Sequence, residues 1–176
     1  MNFNRIVCFD LEMCCWDKSI RKTTGEIIEV GLAEIDLMEN SIVKRAQYYV
    51  KPDTDEISEY CTNLTGITPN LINKKGRPLE HVLKSVMKNF ATKQKVFAAW
   101  GYDDVILRNE CKKKNLQYPI REYINLATLF KINKRIANGR IGQRAAMEQL
   151  EIQWQGTQHS GYDDAYNLAL LAKKIL

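Results

Sequence analysis

The sequence lacks the features that would mark a membrane, repeat or multi-domain protein. No apolar run approaches the ~20 residues that a membrane-spanning helix needs. There is no Pro- or Ser-rich stretch, no internal repeat, and no signal-peptide pattern at Met1–Arg5. We therefore expect residues 1–176 to form a single domain that has no membrane attachment and works in the cytoplasm.

Cysteine is present but is not arranged as a structural framework. The five cysteines are odd in number, and two of them, Cys14 and Cys15, are adjacent. This arrangement favours neither a set of disulfide pairs nor the ligand spacing of a zinc site. The sequence therefore argues against a disulfide-stapled secreted scaffold and against a zinc finger.

What the chain does have is an ordinary globular composition with a basic surplus. Hydrophobic residues make up 45% of the sequence, charged residues 27%, and the formal net charge is +5. A positive balance favours a polyanionic partner such as nucleic acid. Two basic stretches are candidates for phosphate contact. The run Lys112–Lys114 is better explained as a solvated helix end, whereas the stretch from Lys131 to Arg144 is open to either interpretation.

Two acidic residues, Asp10 and Glu12, close the apolar run Ile6–Phe9 near the N-terminus. Such a run is typical of a central strand, where an unpaired buried carboxylate is costly. Side chains alternate along a strand, so both acids would point to one face and could share a metal ion, while Leu11 packs on the other. The alternative is a strand that ends at Phe9 and leaves both acids on a solvated turn.

A second acidic site opens the apolar-periodic segment at the C-terminal end. Helical steps of four, seven and eleven residues from Asp164 reach the apolar positions Leu168, Leu171 and Ile175, so this carboxylate is predicted to face inward. His159, five positions earlier, is predicted to lie on a loop from which its imidazole can approach Asp164. A histidine on a loop is more often an ordinary surface residue.

A third acidic site follows the short apolar strand Val96–Ala99 and the turn at Gly101. A helix is predicted to begin near Asp103, and the helical pattern does not decide whether Asp103 or Asp104 faces inward. Considered alone, Asp103 is explained as a helix cap and Asp104 as an acid favoured by the helix dipole.

Taken in order, these motifs resemble the DEDDh exonuclease superfamily, which includes RNase T and the proofreading epsilon subunit of DNA polymerase III. Within it, the chain is most similar to the enhanced-RNAi-type exoribonuclease branch. The matching segments span nearly the whole chain: Asp10-x-Glu12, Glu26–Gly31, Tyr60–Thr68, Trp100–Asp104, Ile124–Leu126 and His159–Ala165.

The resemblance implies a set of five catalytic positions, with one of them open to two assignments. Counted from Gly101, the second-motif aspartate is Asp104. Relatives carry an aromatic residue immediately before this aspartate, and here that position before Asp104 is occupied by Asp103, with Tyr102 one step earlier. The catalytic residues implied are Asp10, Glu12, Asp104, His159 and Asp164.

The resemblance also implies a mechanism, cofactors and a substrate. Asp10, Glu12, Asp104 and Asp164 would hold two Mg²⁺ or Mn²⁺ ions, and neutral His159 would act as general base in a reaction that releases nucleoside 5′-monophosphates. The partners would be 3′ ends of single-stranded RNA or DNA. The residues expected to contact the terminal nucleotide are Met13, Tyr60, Leu64 and Thr65.

The pattern of apolar residues predicts an α/β fold with an RNase H-like mixed five-stranded sheet flanked by helices. Strands are expected at 5–12, 26–37, 42–50, 95–99 and 121–125, and helices at 79–91, 103–115, 126–136, 142–150 and 161–175. The segment Tyr60–Thr68 is expected to be a short helical turn ended by Gly66.

The leading functional hypothesis is a 3′-to-5′ exoribonuclease. Two others remain open: a DNA-directed or short-oligonucleotide exonuclease with the same chemistry, and a nucleic-acid-binding module whose acidic site is structural. The complete set of catalytic positions favours an enzyme.

Overall fold

A mixed five-stranded sheet organises the chain in the computed structural model, which describes residues 2–17 and 25–176. The spatial order is β3-β2-β1-β4-β5, with antiparallel pairing among β1, β2 and β3 and parallel pairing of β4 with β1 and β5. The α/β prediction with a mixed sheet is therefore confirmed. The strands are β1 (Asn2–Met13), β2 (Ile27–Asp36), β3 (Ser41–Tyr49), β4 (Lys95–Ala99) and β5 (Glu122–Asn125).

The five helices expected from the sequence are all present, and two short ones precede them. Each of the ten predicted strands and helices begins and ends within three residues of its observed bounds. Among the described residues, no helix has the length and apolar character needed to cross a membrane. The helices are α1 (Glu59–Thr65), α2 (Pro69–Lys75), α3 (Leu79–Phe90), α4 (Asp103–Lys113), α5 (Leu126–Asn133), α6 (Gln143–Gln149) and α7 (Gly161–Ile175).

The two short helices follow local sequence signals. Helix α1 ends at Gly66, whose φ of 73° is the left-handed conformation expected of a terminating glycine. Helix α2 was not predicted, although Thr68 caps it through a hydrogen bond from the Leu71 N–H and Pro69 occupies its first position. A Thr-Pro pair is a recognised helix start, so this element could have been found.

Strand β1 lies in the middle of the sheet, and its alternating side chains enter two different hydrophobic cores. Phe9 and Leu11 pack in the core that α3 and α4 cover, whereas Ile6 and Cys8 pack in the core that α7 covers. Asp10 continues the second set, since it lies two residues beyond Cys8. The acidic end of β1 is therefore on the face of the sheet that carries α7.

Candidate active site

Asp10 and Glu12 lie on this face, and their carboxylates are mostly withdrawn from solvent. Burial raises the pKa of Asp10 well above its ordinary value, and the charge of Asp103 raises it further. Burial also raises the pKa of Glu12 to about 8, with added repulsion from Asp164 and Glu29. Burial and neighbouring negative charges disfavour the ionised form of each carboxylate. A bound cation would offset this penalty, so the pair is suited to binding one.

Helix α7 brings Asp164 to the same place from its first turn. The residue is 8% exposed, and burial raises the pKa of its carboxyl to about 7. One oxygen, Oδ2, accepts the backbone N–H of His159 at 3.0 Å. The other oxygen, Oδ1, is buried and has no hydrogen-bond donor within the described part of the chain. A buried carboxylate oxygen without a partner is costly, so it indicates a position for a ligand.

His159 lies on the loop that leads into α7, with a left-handed φ of 62°. One ligand atom each from Glu12, His159 and Asp164 can be chosen such that all three lie within 4.8 Å of one another. The imidazole and two of the acids predicted from distant parts of the sequence are therefore adjacent in the fold.

The two neighbouring aspartates that open α4 point to different surroundings. Asp103 accepts the backbone N–H of Leu11 on β1 at 3.2 Å. Burial raises the pKa of its carboxyl to about 6, and its charge raises the pKa of Asp10, Glu12 and Asp164. The structure therefore brings Asp103 into the acidic cluster.

Asp104 is held by a different set of contacts, away from the acidic cluster. Its Oδ2 accepts Arg108 Nε at 2.8 Å, its Oδ1 accepts the hydroxyl of Tyr118, and the Arg108 guanidinium lies 3.9 Å from the centre of the Tyr118 ring. These contacts satisfy both oxygens and neutralise the charge. The geometry thus departs from the assignment of Asp104 as the second-motif ligand, because adjacent helix positions diverge by about 100° around the axis.

The residues expected to contact the terminal nucleotide lie along α1 and at the end of β1. Tyr60 and Leu64, one helical turn apart, are 41% and 37% exposed and share a face of α1. Thr65 is buried, and its hydroxyl donates to the Cys61 carbonyl and accepts the Ile67 N–H. Met13 is half-buried at the end of β1. Tyr60 and Leu64 are therefore free to meet a ligand, whereas the Thr65 hydroxyl is already engaged.

One further residue near the site was not predicted to have a role there. Glu29 on β2 is the cross-strand partner of Glu12 and is only 1% exposed, and its charge raises the pKa of both Glu12 and Asp164. The signal for it was an acid flanked by the apolar residues Ile28 and Val30, within the matched segment Glu26–Gly31.

The residues of this cluster fit divalent metal ions. Hard carboxylate oxygens are the donors that Mg²⁺ and Mn²⁺ prefer, and the orphaned Oδ1 of Asp164 and the mutual repulsion of the acids both call for positive charge. Without a cation, this density of buried acids should reduce the stability of the fold.

The raised pKa values predict how stability depends on pH. Folding raises the pKa of Asp164 from 3.8 to about 7 and that of Glu12 from 4.5 to about 8. At pH values between the unfolded-state and the folded-state pKa of these carboxyl groups, the folded chain binds more protons than the unfolded chain. The free energy of unfolding therefore falls as the pH rises. In EDTA, the Tm should be several degrees lower at about pH 8 than at about pH 5.5, measured by differential scanning fluorimetry.

Metal addition and one substitution test whether the buried acids cause this dependence of the Tm on pH. Mn²⁺ should raise the Tm more at the higher pH, and Asp164→Asn should flatten the pH dependence in EDTA. Glu26, whose pKa is lowered by the Lys114 ammonium and three backbone N–H groups, titrates below this window. A Tm that climbs between the two pH values in EDTA would contradict the prediction.

A mixed sheet of this topology, with an acid and histidine cluster at the end of its central strand, defines the RNase H-like exonuclease class. The family model described as Exonuclease, of the RNase T type, matches residues 7–172. The chain belongs to this exonuclease family, and the predicted resemblance to DEDDh exonucleases is confirmed.

Known proteins similar to this chain agree with that assignment. Human ERI1 exoribonuclease 2 is 31% identical over 99% of this chain and 28% of its own length. Rat 3′-5′ exoribonuclease 1 is 26% identical over 99% of this chain and 53% of its own length. The chain thus spans only about a quarter to a half of these two relatives. The crystal structure of the nuclease domain of 3′hExo, a DEDDh family member bound to rAMP, superposes with a TM-score of 0.89 at 23% identity, covering 98% of this chain and 91% of that one.

Proposed function

We propose that this chain acts as a single metal-dependent 3′-to-5′ exonuclease domain that degrades single-stranded RNA to nucleoside 5′-monophosphates. The observation that carries the proposal is that four carboxylates and one imidazole lie close together. They meet at the C-terminal end of β1, on the face of the sheet that α7 covers. They come from β1, α4, the loop before α7, and α7 itself. Several similar proteins are named exoribonucleases, which favours RNA as the substrate.

We assign the metal ligands to Asp10, Glu12, Asp103 and Asp164, so Asp103 replaces Asp104 in the set implied by the sequence resemblance. With Asp103 in this role, Tyr102 immediately precedes the ligand, and the departure from the family pattern disappears. These carboxylates would bind two Mg²⁺ or Mn²⁺ ions. Bound there, the ions would supply Lewis-acid stabilisation of the charge that develops on the phosphoryl oxygens.

His159 is assigned as the general base. One nitrogen of its ring lies within 4.8 Å of carboxylate oxygens of both Glu12 and Asp164. The neutral imidazole would take a proton from that water. The hydrogen bond from its backbone N–H to Asp164 ties the histidine loop to the acid that opens α7.

We assign helix α1 as the surface that contacts the terminal nucleotide. Tyr60 and Leu64 present one aromatic and one aliphatic side chain on an exposed face, a surface suited to any base because stacking tolerates sequence. Met13 would contact the nucleotide from the end of β1. Thr65 would contribute through its backbone and methyl group, since its hydroxyl is bonded within the helix end.

The cytoplasm is proposed as the site of action. All five cysteines are free thiols, and Cys8, Cys14, Cys61 and Cys111 are buried. Unpaired buried thiols are typical of a reducing compartment.

The proposal is tested with end-labelled single-stranded RNA and DNA of one sequence. In Mg²⁺ or Mn²⁺ we expect stepwise shortening of RNA from the 3′ end, with nucleoside 5′-monophosphates as products, and no shortening in EDTA. Equal or preferred degradation of DNA would favour the DNA-directed alternative. Binding without degradation in any divalent ion would favour a non-catalytic module.

A basic cleft beside the acidic cluster is the proposed path of the upstream strand. It has a volume of about 320 Å³ and begins at Gly101 and Tyr102, immediately before Asp103. Its walls are fixed by hydrogen bonds from Trp100 Nε1 to the Ile141 carbonyl and from Asn125 Nδ2 to the Gly101 carbonyl. Tyr102 is 65% exposed, and the cleft also contains Thr128, Lys131 and Arg140.

The charge of this cleft suits a phosphodiester backbone. Within residues 2–17 and 25–176, neither Lys131 nor Arg140 forms an ion pair with a carboxylate, and the Arg140 guanidinium lies 5.9 Å from the centre of the Tyr102 ring. Cations without a carboxylate partner beside an exposed aromatic ring are a combination that suits single-strand binding.

Removing both cations should weaken RNA binding with little effect on the chemical step. We expect Lys131→Ala/Arg140→Ala to raise the KM for RNA about tenfold and to lower the salt slope of binding by about 1.4, because each single-strand phosphate contact contributes about 0.7. Lys112→Ala/Lys113→Ala removes the same charge from exposed positions of α4 and is the control. Equal effects of the two double variants would show that only net charge matters.

A further inference from the structure

Glu29 is a buried acid beside the active site that the assigned chemistry does not use. It lies on β2 as the cross-strand partner of Glu12, so the two side chains share the face of the sheet that α7 covers. Placing a third carboxylate next to Glu12 and Asp164 is electrostatically unfavourable. A buried carboxylate at this position therefore needs hydrogen bonds that offset the repulsion from Glu12 and Asp164.

Those contacts come from the first turn of α7. Glu29 Oε2 accepts the Gly161 N–H at 3.2 Å, and Oε1 accepts the Tyr162 N–H at 3.0 Å and Gln47 Nε2 at 2.8 Å. Ser160, which precedes the helix, makes no side-chain capping hydrogen bond. Glu29 therefore caps α7 from a neighbouring strand, where the helix dipole also favours a negative charge.

The backbones of β2 and α7 come into direct contact beside this carboxylate. A Cβ on Gly31 would lie 1.8 Å from the Gly161 carbonyl oxygen, and a Cβ on Gly161 would lie 3.2 Å from Glu29 Cδ. Only glycine leaves room at position 31, whereas a side chain at position 161 would press on the Glu29 carboxylate. We call Glu29, Gly31 and Gly161 the β2–α7 seam.

The seam lies beside the part of the site that α7 supplies. Asp164 follows Gly161 by three residues, within one helical turn, and His159 precedes it by two. Glu12 is on β1, which is paired to β2 in fixed register. The distance between Glu12 and the pair Asp164 and His159 therefore depends on where the seam holds the start of α7.

We propose that Glu29 is a positioning residue of the exonuclease reaction: by anchoring the first turn of α7 it holds Asp164 and His159 in register with Glu12. The inference rests on the proposed function, which it deepens. Glu29 itself contacts neither the metal ions nor the substrate. It acts through the backbone N–H groups of Gly161 and Tyr162.

The near-isosteric variant Glu29→Gln isolates this role. A glutamine amide turns an N–H group toward one of the N–H donors of α7, so one capping bond is lost while the side-chain volume is kept. We expect kcat in Mn²⁺ to fall by about 10- to 100-fold and Mn²⁺ affinity, measured by titration calorimetry without RNA, to weaken by a similar factor. The KM for RNA should change by less than about twofold, since the residue does not touch the strand.

Glu34→Gln is the matched control on the same strand. Glu34 is 4% exposed and pairs with Lys95 Nζ at 2.7 Å and with Arg5, away from the acidic cluster. Its replacement should lower the Tm without changing kcat or Mn²⁺ affinity. If it reduces both as much as Glu29→Gln does, the effect is general destabilisation and the proposal is overturned.

A double variant separates position from charge. Glu29→Gln/Gln47→Glu keeps one carboxylate and one amide in this pair but leaves the amide against α7. We expect it to stay as impaired as Glu29→Gln, and recovery to wild-type kcat would mean that only the local charge matters. Wild-type kcat and Mn²⁺ affinity in Glu29→Gln would also refute the role.

Failure of the proposed function gives a different result. Wild-type protein that binds Mn²⁺ but degrades no RNA would refute the nuclease assignment, and the Mn²⁺ affinities of the variants would still test the anchoring of α7. Wild-type protein that binds no Mn²⁺ would overturn both.

Discussion

Asp103→Asn should abolish RNA degradation, whereas Asp104→Asn should leave most of it intact. Asp103 interacts electrostatically with Asp10, Glu12 and Asp164, so loss of its charge should weaken the proposed metal site. We expect kcat/KM to fall by about 10³-fold or more, equivalent to about 4 kcal/mol of transition-state stabilisation. The measurement is the rate of 3′ shortening of labelled RNA in saturating Mg²⁺, with Mn²⁺ affinity from titration calorimetry.

The adjacent substitution is the control, because it makes the same chemical change one residue away. Asp104→Asn weakens the hydrogen bonds with Arg108 and Tyr118, which should cost about 1–3 kcal/mol of stability and lower the Tm by several degrees. Its Mn²⁺ affinity should stay close to that of the wild type. The reverse result, an inactive Asp104→Asn beside an active Asp103→Asn, would return the ligand role to Asp104.

His159→Asn should lose about 10²- to 10⁴-fold in kcat, the usual contribution of a general base, while keeping Mn²⁺ and RNA binding. Asparagine tolerates the left-handed backbone found at this position, where φ is 62°, so the variant removes the imidazole with little added strain. Single-turnover rates and equilibrium binding of RNA in Ca²⁺ separate the chemical step from affinity.

The chain offers a direct control for this substitution. Its only other histidine is His81, on an exposed position of α3. His81→Asn should have wild-type kcat and Tm. Unchanged turnover in His159→Asn would remove the histidine from the mechanism, and a loss of Mn²⁺ affinity equal to the loss of kcat would make it a ligand instead of a base.

The choice between Asp103 and Asp104 illustrates where sequence information ends. Both residues are acids in the first turn of α4, and each has apolar neighbours at helical spacing. Periodicity therefore could not decide which one faces β1. The decision depends on contacts with distant residues: Leu11 for Asp103, and Tyr118 for Asp104.

Elements with a strong local pattern were predicted well. Strand β4 and helix α7 have the predicted bounds, because a buried apolar run and a long amphipathic repeat are both visible in a short window. Helix α2 was missed because its seven residues carry little periodicity, and its start at Thr68 and Pro69 was overlooked. Glu29 was not given a role because the strand pattern predicts burial but not the partner that makes burial of an acid tolerable.

The amino-acid sequence by itself determined the fold class, the family and the inward direction of Asp10, Glu12 and Asp164, since these depend on alternation and helical repeat along neighbouring residues. Only the tertiary structure decided which carboxylate of α4 joins them and how β2 anchors α7. Those outcomes depend on hydrogen bonds and close backbone approaches between residues up to 133 positions apart, which no local pattern encodes.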